Sequence, residues 1–273
     1  MRYSVIGIVM AVLLAAVPAM SHVRPPFPGG VVVEIVSDGG SIFRDIPHQD
    51  LWNGGTHIVK KYLEARKGEN YGIVINNNTP ERIGIVIAVD GRNIISGKRS
   101  DLKSSETMYI VNAYEQVRYD GWRTSNDEVH RFYFTNPSDS FSVKTFNDSS
   151  AMGVVAIAVF REKARPQPLY GQRDHKQSEA APAAPSTGNS GRNMGKTLAE
   201  ESTGTGFGDA QYSPVIKVEF EPERTPVQKT FMKYEWHETL CRKGLLRCGY
   251  ETGNRLWDAD GYAPFPPGYG VDR

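Results

Sequence analysis

The sequence predicts a mainly β protein: an antiparallel β-sandwich, then a flexible linker, then a small strand-strand-helix C-terminal appendage. Three observations carry that expectation. From Val31 to Glu162 short apolar runs alternate with Gly, Asn, Asp or Pro, and almost no stretch is long enough for a helix of period 3.6. From Arg165 to about Gly208 the composition shifts to Pro, Ala, Ser, Gly and Gln, including Ala180-Ala-Pro-Ala-Ala-Pro-Ser186. Beyond residue 210 two apolar runs precede a short segment with helix-end signals.

Within the expected sandwich, 31–162, strands are predicted at 31–36, 58–65, 71–76, 82–89, 93–95, 108–111, 116–119, 129–134 and 152–160. Turn chemistry joins them. Asn76-Asn77-Asn78-Thr79-Pro80 separates two apolar runs, and Asp90-Gly91 predicts a two-residue hairpin turn at positive φ, which Gly accepts without strain. Two strands are apolar on both faces. Ile83, Ile85, Ile87 and Val89 form a bulky face opposite Gly84, Val86 and Ala88, and Val155, Ile157 and Val159 alternate with Ala156 and Ala158. Such strands belong at the centre of the sheets, with the small-residue side closely covered, and the C-terminal appendage is the expected cover.

The linker, 163–209, lacks the apolar surface to offset about 1 to 2 kcal/mol of backbone entropy per residue ordered. The appendage, 210–250, is expected to pair strands at 215–220 and 228–234 across Glu221-Pro222-Glu223-Arg224-Thr225-Pro226. A helix over 235–243 follows. Glu235 and Glu238 in its first turn, Arg242 and Lys243 in its last and Gly244 after it suit the helix dipole. The tail, 251–273, is read as irregular.

Residues 1–21 read as a secretory signal peptide: Arg2, an apolar run from Val5 to Val17, then small residues that place cleavage after Ala19 or Ser21. About a dozen apolar residues are too few to span roughly 30 Å of hydrocarbon, so no membrane insertion is expected after cleavage. No cysteine near the cleavage region offers a lipoprotein anchor. Export to the periplasm or beyond is the expected localisation. There Cys241 and Cys248, the chain's two cysteines, are expected to form one short-loop disulfide. The formal net charge is +1, or zero once Arg2 leaves with the leader, and basic residues alternate with acids, so nucleic acid is not an expected partner.

The runs Arg82-Ile-Gly-Ile-Val-Ile-Ala-Val-Asp-Gly-Arg-Asn-Ile-Ile-Ser-Gly97, Gly121-Trp122-Arg123 and Gly153-Val-Val-Ala-Ile-Ala-Val-Phe160 resemble a group of uncharacterised exported proteins of Gram-negative bacteria. The resemblance continues through Gly204-Thr-Gly-Phe-Gly208 and Lys233-Tyr234 to the helix carrying Leu240. It implies export and a two-part layout, brings no activity with it, and hints that the linker joins parts that belong together.

Several residues offer chemistry. Asp90, Asn93 and Ser96 gather oxygens around a hairpin tip that suits a hard cation or a sugar, although Asx side chains also serve turns by bonding nearby backbone. Trp122 and Arg123, with Asp127 in the same polar run, suit stacking on a sugar or anchoring a protein partner; the competing role for Trp122 is to plug the end of the sandwich. His237-Glu238-Thr239-Leu240-Cys241 lacks the second His of a zincin helix, and His237, Cys241 and Cys248 lack a fourth zinc ligand. Gly204-Thr205-Gly206-Phe207-Gly208 lacks the Lys-Ser or Lys-Thr ending of a phosphate loop, and no Gly-x-Ser-x-Gly elbow accompanies the six histidines. No cofactor or metal is expected.

The functional expectation is an exported, non-enzymatic binding or assembly protein of the periplasm or envelope, with an envelope protein or a glycan as partner. The alternative is a glycan-binding or glycan-hydrolysing protein using Asp90, Asp120 and Asp127 as paired carboxylates, which requires two carboxyls about 5 to 10 Å apart in a cleft. A third possibility is a subunit of an envelope assembly, marked by exposed sheet edges or a large apolar patch.

Overall fold

The computed structural model describes residues 30–164 and 202–246. The expected leader at 1–21, residues 165–201 of the expected linker, Cys248 and the expected irregular tail lie outside the described residues, as does the expected pairing of Cys241 with Cys248.

Two packed sheets form a mainly β sandwich. In chain order its strands are β1 (Val31–Ser37), β2 (Asp45–Asn53), β3 (Thr56–Ala65), β4 (Asn70–Asn77), β5 (Ile83–Val89), β6 (Arg92–Asn93), β7 (Tyr109–Val111), β8 (Gln116–Tyr119), β9 (Gly121–Arg123), β10 (Glu128–Thr135), β11 (Val154–Arg161), β12 (Gly204–Thr205), β13 (Ala210–Tyr212) and β14 (Gln228–Trp236). Two short α-helices, α1 (Phe141–Phe146) and α2 (His237–Arg242), and a single 3-10 turn at Pro137–Asp139 complete the described structure. The first sheet runs β1-β4-β10-β12, with β8 on β4 and with β9 and β13 on β10. The second runs β2-β3-β14-β11-β5-β6, with β7 on β5.

The two strands that are apolar on both faces are central, as their sequence requires. Ile83, Ile85, Ile87, Val89, Val155, Ile157 and Val159 face the first sheet and meet Tyr71, Ile73, Ile75, Phe132 and Phe134. On the opposite face Val86, Ala88, Ala158 and Phe160 pack with Leu102 and Met108, which belong to the β6–β7 connection, and with Phe231 of the neighbouring strand β14. Phe220 joins them. A Cβ at Gly84 would lie 2.6 Å from its ring and 2.5 Å from the Met108 sulfur. The expected C-terminal cover is thus only part of the lid.

The turn at Asp90-Gly91 forms as expected. Val89 pairs with Arg92 across two residues at φ 48° and 77°, the positive values of a type I′ hairpin. Several elements depart from expectation. Residues 215–220 form no strand, and β2, which sequence reading passed over, is a polar edge strand with a bulge at Pro47/Gln49 and no continuous apolar face. Gly121-Trp122-Arg123, read as loop, is β9.

The largest departure concerns the appendage. Its strand β14 lies inside the second sheet, parallel to β3 from Gln228↔His57 to Trp236↔Ala65 and antiparallel to β11 from Val154↔Lys233 to Val159↔Gln228. The reason is its alternation: Gln228, Thr230, Met232 and Tyr234 are buried, while Lys229, Phe231 and Lys233 are only partly so. Burying a side chain the size of Met232 or Tyr234 stabilises by about 1.5–3 kcal/mol. The structured C-terminal portion also begins earlier than expected. Gly204 and Thr205 pair with Thr135 and Phe134, so residues 202–209, expected as linker, belong to the folded structure. Residues 202–246 are called the arm below, and residues 30–164 the body.

Gly121 shows how tightly β9 and β10 meet. A Cβ there would lie 2.1 Å from the His130 carbonyl oxygen, a backbone atom with no room to move. Gly121→Ala is therefore expected to destabilise the protein by about 3 kcal/mol or more, whereas Gly39→Ala, which meets only Ser37 Oγ at 3.9 Å, leaves stability unchanged within about 0.5 kcal/mol. Denaturant unfolding of the two variants checks this pair.

Candidate functional site

Four of the five sequence candidates turn out to hold the arm of the same chain. Trp122 is 2 % exposed, donates from Nε1 to the Gly206 carbonyl at 3.0 Å, and packs edge-on to Phe132. Burial overturns its expected role as an exposed contact. Gly206 can cover this part of the body closely because it has no side chain: a Cβ there would lie 2.1 Å from the Tyr133 ring. Arg123 donates to Tyr109 Oη at 2.7 Å, to the Ser213 carbonyl at 2.8 Å and to Ser213 Oγ at 3.1 Å, which ties the arm to β7 and β9. Asp127 is exposed, and its carbonyl accepts from the Ser213 N–H at 2.8 Å. Asn93 is buried and organises the β6–β7 connection, accepting from the Ile95 N–H and donating to the Thr107 carbonyl, both at 2.9 Å. Its turn role, rather than a ligand role, is the one realised.

Asp90 is the most consequential. It is 1 % exposed, and its carboxylate accepts the Gly153 N–H at 2.8 Å, the Thr205 N–H at 2.7 Å and the Tyr234 hydroxyl at 2.5 Å. The Tyr234 hydroxyl lies 2.7 Å from Thr205 Oγ1, which lies 2.7 Å from the Tyr71 hydroxyl. An ionised Asp90 sets the direction of this chain: Tyr234 donates to the carboxylate, so Thr205 donates to Tyr234 and Tyr71 to Thr205, and every proton is placed. Burial pushes the Asp90 carboxyl up to about 6, against the lowering effect of the hydrogen bonds from Tyr234 and from the backbone of Thr205, Gly153 and Val154. Burial also drives the Tyr71 and Tyr234 hydroxyls well above the ordinary phenol range, and both stay protonated. The site is a sealed latch. It holds the start of the arm, through Thr205, and its central strand, through Tyr234, on one carboxylate.

A charged surface cleft lies elsewhere. An open cleft of about 510 Å³ is lined by Asp38, Arg118, Asp120, Arg131, Asp209, Ala210 and Gln211. Arg118 Nε meets Asp120 Oδ1 at 2.5 Å, and Arg131 pairs with Asp38. Gly72 makes room for the first pair, since a Cβ there would lie 2.5 Å from the Asp120 carboxylate. The Arg131 hydrogen bond, opposed by burial, holds the Asp38 carboxyl below its usual range. Asp38 is therefore ionised and suited to accepting hydrogen bonds, not to donating a proton. Of the three carboxylates of the glycan-hydrolase alternative, Asp90 is sealed from substrate, Asp120 is paired with Arg118 in this cleft, and Asp127 stands in the β9–β10 turn. Sequence reading missed the cleft because its residues come from β8, the β8–β9 junction, β10, β13 and the loops after β1 and before β13, up to 173 residues apart. Among the described residues no three His, Cys, Asp or Glu side chains converge as metal ligands.

Comparison with protein-family models, with curated proteins and with solved structures finds no match.

The raised Asp90 carboxyl gives a signed pH dependence. Its native value, about 6, lies above the unfolded value near 3.8, so its contribution is fully present below pH 3.8 and is lost as pH rises through 6. The stability advantage of the wild type over Asp90→Asn is expected to shrink by on the order of 3 kcal/mol between pH 4 and pH 7. Parallel urea titrations across that range check it, and a gap that is constant or widens with pH rejects it.

Proposed function

We propose that this is an exported, non-enzymatic binding or assembly protein of the bacterial periplasm or envelope, and that its partner is a protein docking on the solvent side of the arm. One observation carries the reading. Of the nine large hydrophobic side chains exposed among the described residues, three lie within residues 212–218: Tyr212 at 76 %, Ile216 at 86 % and Val218 at 48 %. Single exposed apolar residues are ordinary on a protein surface, but several on one short segment favour a contact surface. Tyr is also among the residues enriched at binding hot spots. The sequence supports export through the leader at 1–21 and the resemblance to exported proteins. Such a compartment permits the disulfide expected between Cys241 and Cys248.

Glycan binding is the second reading, and the Asp38–Arg131 cleft favours it, since paired carboxylates and guanidinium groups suit sugar hydroxyls. In that reading the ligand is bound and not hydrolysed, because Asp38 is held ionised and Asp90 is out of reach.

The double variant Ile216→Asp/Val218→Asp separates the two. The tagged mature protein, crosslinked in its own envelope, is expected to capture a defined protein that the double variant does not, while the melting temperature stays within about 2 °C because both side chains already face solvent. Equal capture by both proteins would sink the protein-partner reading.

A further inference from the structure

We propose that the space between β3 and β11 is a strand-acceptor slot, and that it takes the Gln228–Trp236 strand from a second copy of this chain as well as from its own. Without β14 the second sheet falls into two pieces, β2–β3 and β11–β5 with β6 and β7, because no other strand bridges β3 and β11. The body is thus a sandwich with one central strand missing. The missing strand is specified side chain by side chain. Gln228 reaches across to the first sheet, donating to the Val31 carbonyl at 2.6 Å and accepting the Val31 N–H at 3.0 Å, at the far end of the slot from the latch on Asp90. Tyr234 closes that latch. Thr203 Oγ1 donates to the Tyr234 carbonyl at 2.5 Å, so the start of the arm also fastens its own strand.

The residues whose chemistry pointed to recognition do recognise something: Asp90 takes Thr205 and Tyr234, Trp122 takes Gly206, and Arg123 takes Ser213. The ligand is a peptide, and this chain carries it. In sequence the arm joins the body only through residues 165–201, 37 residues that when extended reach about 120 Å, several times the width of a domain this size. A neighbouring copy offers the same slot with the same contacts, so exchange of arms within a two-fold pair loses none of them. This inference is independent of the proposed envelope partner, which would use the solvent side of residues 207–218 rather than the buried side of β14.

The test uses the full chain with a protease recognition sequence inserted within residues 165–201. The folded protein is cut in two batches, one carrying a heavy-isotope arm and the other an affinity tag on the body. The batches are mixed, taken together through the unfolding transition and refolded. Mass spectrometry of the recovered tagged bodies then reads which arms they hold. The expected result is that each cut protein keeps its arm through gel filtration, that tagged bodies acquire heavy arms after the joint refolding, and that Tyr234→Phe speeds exchange under native conditions by about ten- to a hundredfold, the effect of losing one hydrogen bond to a carboxylate. Arms that fall away on cutting, or tagged bodies that return with light arms only, overturn the proposal.

Discussion

A carboxylate buried without a cation is among the costlier arrangements a protein interior can hold, and Asp90 is one. Its offset comes from donors: the backbone of Gly153 beside β11, the backbone of Thr205 in β12, and the hydroxyl of Tyr234 in β14. Two of the three lie in the arm, more than a hundred residues further along the chain. The hairpin tip that carries Asp90 is therefore satisfied only when the arm is in place. The arm in turn supplies β14, which completes the second sheet, the sheet to which β5 and β11 belong and whose bulky face packs on the first. Packing and polar satisfaction impose the same assembly, and neither is complete before it.

The fold was legible where a strand's own residues state its environment. β5 and β11 announce central positions by being apolar on both faces, and Asp90-Gly91 announces a turn by backbone chemistry alone. β14 was legible as a strand from its alternation, but its position was not. Nothing in Gln228-Lys-Thr-Phe-Met-Lys-Tyr says that its neighbours are β3 and β11 rather than the segment just before it, and the shift to linker composition made a separate appendage the natural reading. β2 was invisible for the opposite reason. Its Asp45-Ile-Pro-His-Gln-Asp-Leu-Trp-Asn stretch is half wet on an open edge, so it carries little burial signal, and Pro47 argues against a strand except at such an edge.

The site was legible as chemistry and illegible as address. Sequence reading singled out Asp90, Asn93, Trp122, Arg123 and Asp127 because their side chains can recognise a ligand. It had no means of seeing that the ligand is tethered to the same chain. Gly204-Thr-Gly-Phe-Gly208 was the available clue: read as linker, it is a segment in which glycine at 206 lets backbone lie against the Tyr133 ring and glycine at 204 lets it lie near Ser140 and Met152. Glycines clustered where a chain must run close to another surface look, in sequence, like glycines clustered for freedom. The Asp38–Arg118–Asp120–Arg131 cleft left no clue of that kind, since ordinary charged residues at distant positions say nothing about one another.

Using recognition residues internally has a consequence for what remains outside. Trp122 and Asp90, the side chains with the greatest capacity to bind, are sealed by the arm, so the surface open to partners is in part the surface of the arm. Along residues 207–218 the inward side is fixed, with Phe207 stacked 4.1 Å from His130, and with Ser213 and Val215 N–H groups bonded to the carbonyls of Asp127 and Asn126. The outward side carries Tyr212, Ile216 and Val218. Fixing one side removes part of the ordering cost that a partner would otherwise meet in binding an extended segment. The body thus presents its own C-terminal segment in a set conformation, and the contacts that hold the arm down are also what orient its exposed side chains.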